Sequence, residues 1–256
     1  MAMTKEKKAA SPFTLASAAI FTSFVYIATI LFSVYIPSTK GFFNIGESMV
    51  FLSALLFGPY VGAFAGGVGS MLADLHLGYP HYAPATLVIK ACEGFIVGFL
   101  AEHNPKLKSR LKWKVFTLLL GLVVGLLLAI IGSMYYSGEG ELTLGFITYK
   151  FMLPCMFWLI LGGLVAFLIS LAGFLSDPQF GWILFSVTLG GLMMVLGYFL
   201  YQMFIIGWLF NIPVIAIAEV PINIVQMIIG ALIAIPTARA IRRAFPQMKK
   251  IDNSKF

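Results

Sequence analysis

Charge is what this sequence has least of. Its 256 residues include 17 Lys and Arg and 10 Asp and Glu, 11% in all, where a soluble domain carries about a quarter. Hydrophobic residues make up 60%. So few ionic groups cannot cover a water-exposed surface, which excludes a soluble enzyme or a disordered tail and places the chain in a bilayer. Cysteine is nearly absent too. Cys92 and Cys155 both lie in apolar runs. They form no zinc spacing and no disulfide framework, and read as small buried hydrophobes. The motifs of phosphate-binding, zinc-protease and serine-hydrolase sites (G-x-x-x-x-G-K-[ST], H-E-x-x-H, G-x-S-x-G) are all missing. The chain is therefore read as a non-enzyme, with no catalytic residue, no metal site and no cofactor.

The charges that are present carry positional information. Fourteen of the basic residues fall in three clusters: Lys5, Lys7 and Lys8; Lys106, Lys108, Arg110, Lys112 and Lys114; Arg239, Arg242, Arg243, Lys249, Lys250 and Lys255. Short loops rich in Lys and Arg stay cytoplasmic. Both termini and the middle cluster are thus expected inside, with an even number of spans between clusters. The net charge of +7 reports topology and attraction to anionic lipid rather than a nucleic-acid partner. The apolar stretch from about Phe13 to Ile36 is too long for a signal-peptide core and is read as a retained first helix.

At about 20 residues per spanning helix, the apolar segments divide into eight spans: 13–36, 47–57, 60–75, 85–102, 115–136, 146–172, 182–206 and 214–238. Gly58-Pro59 separates the second from the third, because proline removes a backbone donor and favours a turn. Loops 37–46, 74–84 and 137–144 are expected outside, and loop 173–181 inside. The third span is dense in small residues, with Gly62, Gly66 and Ser70 four apart. That spacing lets helix backbones approach closely in a membrane.

Polar groups inside the spans are the best functional clue, since a charge at a helix centre costs about 2.5–3.5 kcal/mol on insertion scales. Lys90 and Glu93 are three apart, Glu219, Asn223 and Gln226 are four and three apart, and Tyr198 and Gln202 are four apart. Each set shares one helical face and lies toward the outer end of its span. The loop after the first helix adds Phe42, Phe43, Asn44 and Glu47 on the same side. One outward-facing pocket satisfies all these groups, with Asn44, Glu47, Lys90, Glu93, Tyr198, Gln202, Glu219 and Asn223 as its ligand contacts. Tyr198 and Phe42 or Phe43 would stack on a planar ring. Structural readings stand beside these. Lys90 and Glu93 could neutralise each other, or Lys90 could snorkel. Glu219 and Asn223 could bridge helices, and Tyr198 and Gln202 could anchor an interface. Lys150 is read as snorkelling. Asp74, His76 and His81 are read as a loop set engaged in capping and loop hydrogen bonds rather than a metal site.

Three segments together resemble a known family. The stretch Asn44–Asp74 (NIGESMVFLSALLFGPYVGAFAGGVGSMLAD), Tyr82–Gly94 (YAPATLVIKACEG) and Glu219–Gly230 (EVPINIVQMIIG) are similar to the substrate-binding (S) components of energy-coupling factor (ECF) vitamin transporters. The resemblance covers roughly 13–102 and 182–243. It implies an all-α membrane protein with a six-helix core, both termini cytoplasmic, in a prokaryotic plasma membrane. It also implies a site near the outer face capped by the loop after helix 1. The implied partners are a transmembrane coupling protein and two ATPase subunits, and small residues such as Ala18/Thr22 and Ala19/Ser23 would face the coupling protein. Ligands of the type are hydroxymethylpyrimidine, thiamine, pyridoxine or riboflavin. Segment 115–172 has no place in such a core and reads as an inserted transmembrane hairpin. The organisation is then a tail (1–12), four core segments (13–102), a basic loop (103–114), the hairpin (115–172), two last core helices (173–243) and a tail (244–256). Rival readings are a stand-alone proton- or sodium-coupled transporter using Glu93 or Glu219, a metal-uptake S component using His76 and His81, and an intramembrane enzyme.

Overall fold

A computed structural model describes residues 11–36, 41–103, 110–135, 137–144, 147–175, 178–206 and 216–245. The chain divides into two compact units, residues 1–103 with 183–256, and residues 104–182. Among the described residues seven helices carry the architecture: α1 (Pro12–Leu31), α2 (Glu47–Leu77), α3 (Ala83–Glu102), α4 (Arg110–Tyr135), α5 (Cys155–Leu175), α6 (Pro178–Tyr201, continued by a π-helical turn, Gln202–Ile206) and α7 (Ala216–Ala244). Two antiparallel ribbons connect them, β1 (Ser33–Ile36) with β2 (Gly41–Asn44) and β3 (Gly138–Leu144) with β4 (Ile147–Leu153). Among the described residues six stretches are long and apolar enough to cross a membrane: Pro12–Leu31, Glu47–Leu77, Ala83–Glu102, Cys155–Leu175, Phe180–Ile206 and Glu219–Ala244. The basic residues at 5–8, 106–108 and 249–255, and the turn 37–40, lie outside the described residues.

In the first unit, α2 is the centre, packed against α1, α3 and α7. α1 starts where Ser11 accepts a hydrogen bond from the Thr14 backbone N–H (3.2 Å) with Pro12 in the first turn, the usual chemistry of a helix start. α2 stops at Gly78, whose φ of 86° closes a left-handed C-cap with its N–H on the Asp74 carbonyl. Within α2 the chain reverses. Gly58 has φ 83° and ψ −172°, a region that favours glycine. A Cβ added at Gly62 would lie 2.6 Å from the Ala54 Cβ, and one at Gly66 would lie 2.9 Å from Val50 Cγ1. Residues eight apart on a straight helix are about 12 Å apart. The pairs 54/62 and 50/66 are symmetric about residue 58, so the two halves of α2 lie side by side, antiparallel, around Gly58-Pro59.

The second half of α2 also runs antiparallel to α3 in one register. A Cβ at Gly62 would meet the Gly94 carbonyl oxygen at 2.8 Å, one at Gly66 the Lys90 carbonyl at 2.9 Å, and one at Gly98 the Pro59 Cα at 2.7 Å. Glycine and other small residues every four positions thus bring the backbones together. The first half of α2 is short, about 17 Å at 1.5 Å per residue. Its N-terminal Glu47 meets Lys90 part-way along α3. The β1–β2 ribbon therefore feeds α2 from inside the unit rather than from its edge.

In the second unit α4 and α5 form an antiparallel pair. A Cβ at Gly125 would sit 2.7 Å from the Ala166 Cβ, and one at Gly162 2.8 Å from the Ala129 Cβ.

Several expected boundaries are corrected. Helix 1 ends at Leu31, not Ile36, because Ser33–Ile36 pairs with Gly41–Asn44 as a ribbon. The segment 146–172 is not one helix: Ile147–Leu153 is a strand paired with Gly138–Leu144, and helix begins at Cys155 after Pro154. Lys150 accordingly sits in β4 rather than in a spanning helix. Asp74 is not in a loop; α2 runs on to Leu77. Of the expected loop 173–181, residues 173–175 close α5 and 178–181 open α6, and Asp177 lies outside the described residues.

Candidate functional site

The first unit holds a cleft that opens to solvent, with about 530 Å³ of space between its walls and mouth. Helical spacing builds its walls. On α2, Ser70 and Asp74 are four apart, and on α3, Thr86 and Lys90 are four apart. On α7, Glu219, Asn223 and Gln226 share one face, while α6 contributes Tyr198. Thr29 of α1, Phe42 and Asn44 of β2, and Tyr79 and Tyr82 between α2 and α3 complete it.

A buried ion cluster lies at the base. Lys90, 4% exposed, lines the cleft, and its ammonium group bonds both Glu47 and Glu93, the latter at 3.0 Å. Glu47 Oε1 and Glu93 Oε1 are buried without a hydrogen-bond partner. Gln226 acts as a bracket. Its Oε1 accepts from the Asn44 backbone N–H and from Asn44 Nδ2, each at 3.1 Å, and its Nε2 donates to Glu47 Oε2 at 3.4 Å. Asn44 Oδ1 in turn accepts from the Gly46 N–H at 2.9 Å. These bonds tie β2, the start of α2 and α7 together.

The upper walls are aromatic and hydroxylic. The Tyr198 O–H donates to Thr86 Oγ1 at 3.0 Å, and Thr86 hydrogen-bonds Asp74. Gln202 Nε2 donates to the Tyr82 phenol oxygen at 3.1 Å, which leaves the Tyr82 O–H to donate into the cleft. Burial pushes the Tyr82 phenol up to about 12, so it is a neutral donor at any physiological pH. The Tyr201 O–H donates to the His81 carbonyl oxygen. Phe42 and Tyr79 lie with ring centroids 5.0 Å apart, and Tyr82 and Tyr201 5.8 Å apart.

Of the eight residues expected at the site, five line the cleft: Asn44, Lys90, Tyr198, Glu219 and Asn223. Glu47, Glu93 and Gln202 lie behind them, holding Lys90 and Tyr82. Phe42 reaches the cleft, whereas Phe43, the next residue on the strand, does not. The Glu219 and Asn223 side chains make no hydrogen bond among the described residues. His76 turns away to Tyr26, 3.0 Å from its hydroxyl. Asp74, Thr86, Tyr79 and Tyr82 were not expected at the site. Asp74 was grouped with His76 and His81 as a loop set, although its spacing of four from Ser70 is the signal that would have found it.

Residues 10–144 match the family described as "ECF-type riboflavin transporter, S component". The chain belongs to that family. It is the substrate-binding S component of an ECF-type importer of a vitamin or vitamin precursor, a multi-pass membrane protein and not an enzyme. The chain is 44% identical over 108 residues to a Pyrococcus woesei protein named "Uncharacterized protein in gap 3'region", covering 42% of this chain and 67% of that one. It is 27% identical over 146 residues to the "Thiamine precursor transporter HmpT" of Lactococcus lactis, covering 53% of this chain and 82% of that one. An S component works with an ECF module, and its function needs a ligand site. The matched stretch carries the α1, β2, α2 and α3 walls of the cleft. Tyr198, Glu219, Asn223 and Gln226 lie beyond it.

Proposed function

We propose that the cleft is the vitamin site of this S component, that it opens to the cell exterior, and that release inward is driven by ATP hydrolysis in partner subunits. The observation that carries this reading is the cleft itself. It gathers polar groups from α2, α3 and α7 and aromatic rings from β2, α6 and the α2–α3 loop into one space. Apolar walls with a few placed polar groups are the usual composition of such sites. Lys90, Glu219 and Asn223 meet the polar edge of the ligand, and Phe42 and Tyr198 face its ring. Asn44 holds the capping ribbon through Gln226, while Glu47, Glu93 and Gln202 position the contacts. The ligand is a compound of the size of hydroxymethylpyrimidine, thiamine, pyridoxine or riboflavin.

The three basic clusters support cytoplasmic termini, and the reversal at Gly58 supports eight passes rather than six. Among the described residues the cleft is lined from α1, β2, α2, α3, α6 and α7, which supports a core of α1–α3, α6 and α7 with the α4–α5 pair as an inserted hairpin. Ala19 and Ser23 are exposed on α1, as a docking face for the coupling protein requires.

The test is ligand binding by the purified chain in detergent, read by isothermal titration with those four compounds. Asn223→Ala is expected to weaken binding at least about tenfold, since about 1.4 kcal/mol is tenfold and a buried amide bond to a ligand is worth that much. A ligand that binds the wild type and the Asn223→Ala protein equally would place the site elsewhere.

A further inference from the structure

We propose that the ligand is a flat nitrogen heterocycle that is cationic, or carries amino N–H donors, and that it is held between the carboxylates of Asp74 and Glu219. This rests on the cleft being the vitamin site. The charge balance points to it. Lys90 is the one cation on the cleft wall among the described residues, and Glu47 and Glu93 already engage it. Glu219 is therefore left without a protein counter-charge, and Asp74 shares only the Lys90 charge that Glu47 and Glu93 already engage. Asp74 is 5% exposed, and its Oδ2 has no hydrogen-bond partner. Glu219 is 8% exposed, and the two carboxylates are near enough for their charges to interact. They sit on different helices, α2 and α7, so they approach the space from different walls.

Two buried acids with so little compensating charge are costly in an empty site and become favourable when a bound group supplies positive charge or N–H donors. The rings select for the same chemistry. Phe42, Tyr79, Tyr82 and Tyr198 present aromatic faces and edges to the cleft, which reward a planar partner, and a cationic one most. Asn223 adds an amide that can both donate and accept, matching a ring nitrogen next to an amino group. A phosphate or carboxylate on the ligand would instead meet Asp74 and Glu219 with no free Arg or Lys among the described wall residues to offset it. A flavin has neither a cation nor an amino group to offer the two acids, only a single imide N–H.

The experiment is isothermal titration of the purified full-length chain with thiamine, thiamine monophosphate, 4-amino-5-hydroxymethyl-2-methylpyrimidine and riboflavin. Thiamine or the aminopyrimidine is expected to bind at least about tenfold tighter than riboflavin, and the monophosphate more weakly than thiamine. Asp74→Asn and Glu219→Gln keep shape and volume, and are each expected to lose at least about tenfold in affinity for the best probe. Melting curves of both variants without ligand verify that they fold. Tightest binding of riboflavin or of the monophosphate overturns the inference, as does full affinity for the best probe in both variants. If riboflavin binds tightest and Asn223→Ala weakens it, the cleft remains the site and only the charge argument fails. If none of the four binds, the charge inference falls; if the bound ligand ignores Asn223→Ala, Asp74→Asn and Glu219→Gln alike, the cleft is not the vitamin site and both readings fall.

Discussion

A Lys90→Met protein is expected to lose about 3–5 kcal/mol of stability, the cost of leaving buried charge uncompensated. Lys90 is the shared partner of Glu47 and Glu93, which are 1% and 0% exposed. Its removal strands both buried carboxylates without a counter-charge. Each already has one oxygen without a partner, and the Gln226 amide at 3.4 Å from Glu47 is neutral, so it cannot replace the lost charge. Methionine matches the lysine stem in length and keeps the packing, which isolates the charge effect from a cavity. The measurement is thermal unfolding in detergent, followed by tryptophan fluorescence. The triple variant Lys90→Met, Glu47→Gln, Glu93→Gln is expected to recover most of the loss, because replacing a whole buried ion cluster is far milder than breaking it. Melting of Lys90→Met at the wild-type temperature would mean that the cluster contributes nothing as ions. Failure of the triple variant to recover would mean that Lys90 acts by shape rather than charge.

The same cluster shows what a sequence can and cannot carry. Lys90, Glu93, Glu219 and Asn223 were visible because a charge or amide in an apolar segment is conspicuous, and helical spacing then assigns it a face. The pairing of Lys90 with Glu47, 43 positions away, was not visible. It depends on the fold-back at Gly58, which carries Glu47 into the unit beside α3. Gly58-Pro59 marked a break in the chain, but not the direction the chain takes after it. Asp74 was missed for another reason. A helix end has no sharp signature when the following residues, Leu75 to Leu77, are compatible with either helix or loop. Ser33–Ile36 and Ile147–Leu153 were read as helix because a short apolar run with β-branched and aromatic residues fits both periods, and only its pairing partner decides. Gln202 and Tyr82, 120 positions apart, meet through a hydrogen bond that spacing within one helix cannot reveal.

Gly62→Leu is expected to give no stable, monodisperse protein, whereas Gly163→Leu is expected to behave as wild type. Both glycines sit in apolar helices, so composition alone predicts the same tolerance for each. Their surroundings differ. Even a single Cβ at Gly62 would lie 2.6 Å from the Ala54 Cβ, 2.8 Å from the Ala54 Cα and 2.8 Å from the Gly94 carbonyl oxygen. Two of these three are backbone atoms, which cannot swing aside as the end of a side chain can. A methyl there costs about 1–3 kcal/mol by overpacking, and an isobutyl group must separate the second half of α2 from the first half and from α3. That separation carries Glu47 away from Lys90 and opens the base of the cleft, so packing and ion cluster fail together. At Gly163 nothing lies within 4 Å of an added Cβ, and the side chain points into open space. Size-exclusion profiles and melting curves of the two variants read the contrast directly. A well-behaved Gly62→Leu protein with wild-type melting would mean that the two halves of α2 do not pack against each other around Gly58, and the geometry that places Glu47 beside Lys90 would have to be redrawn.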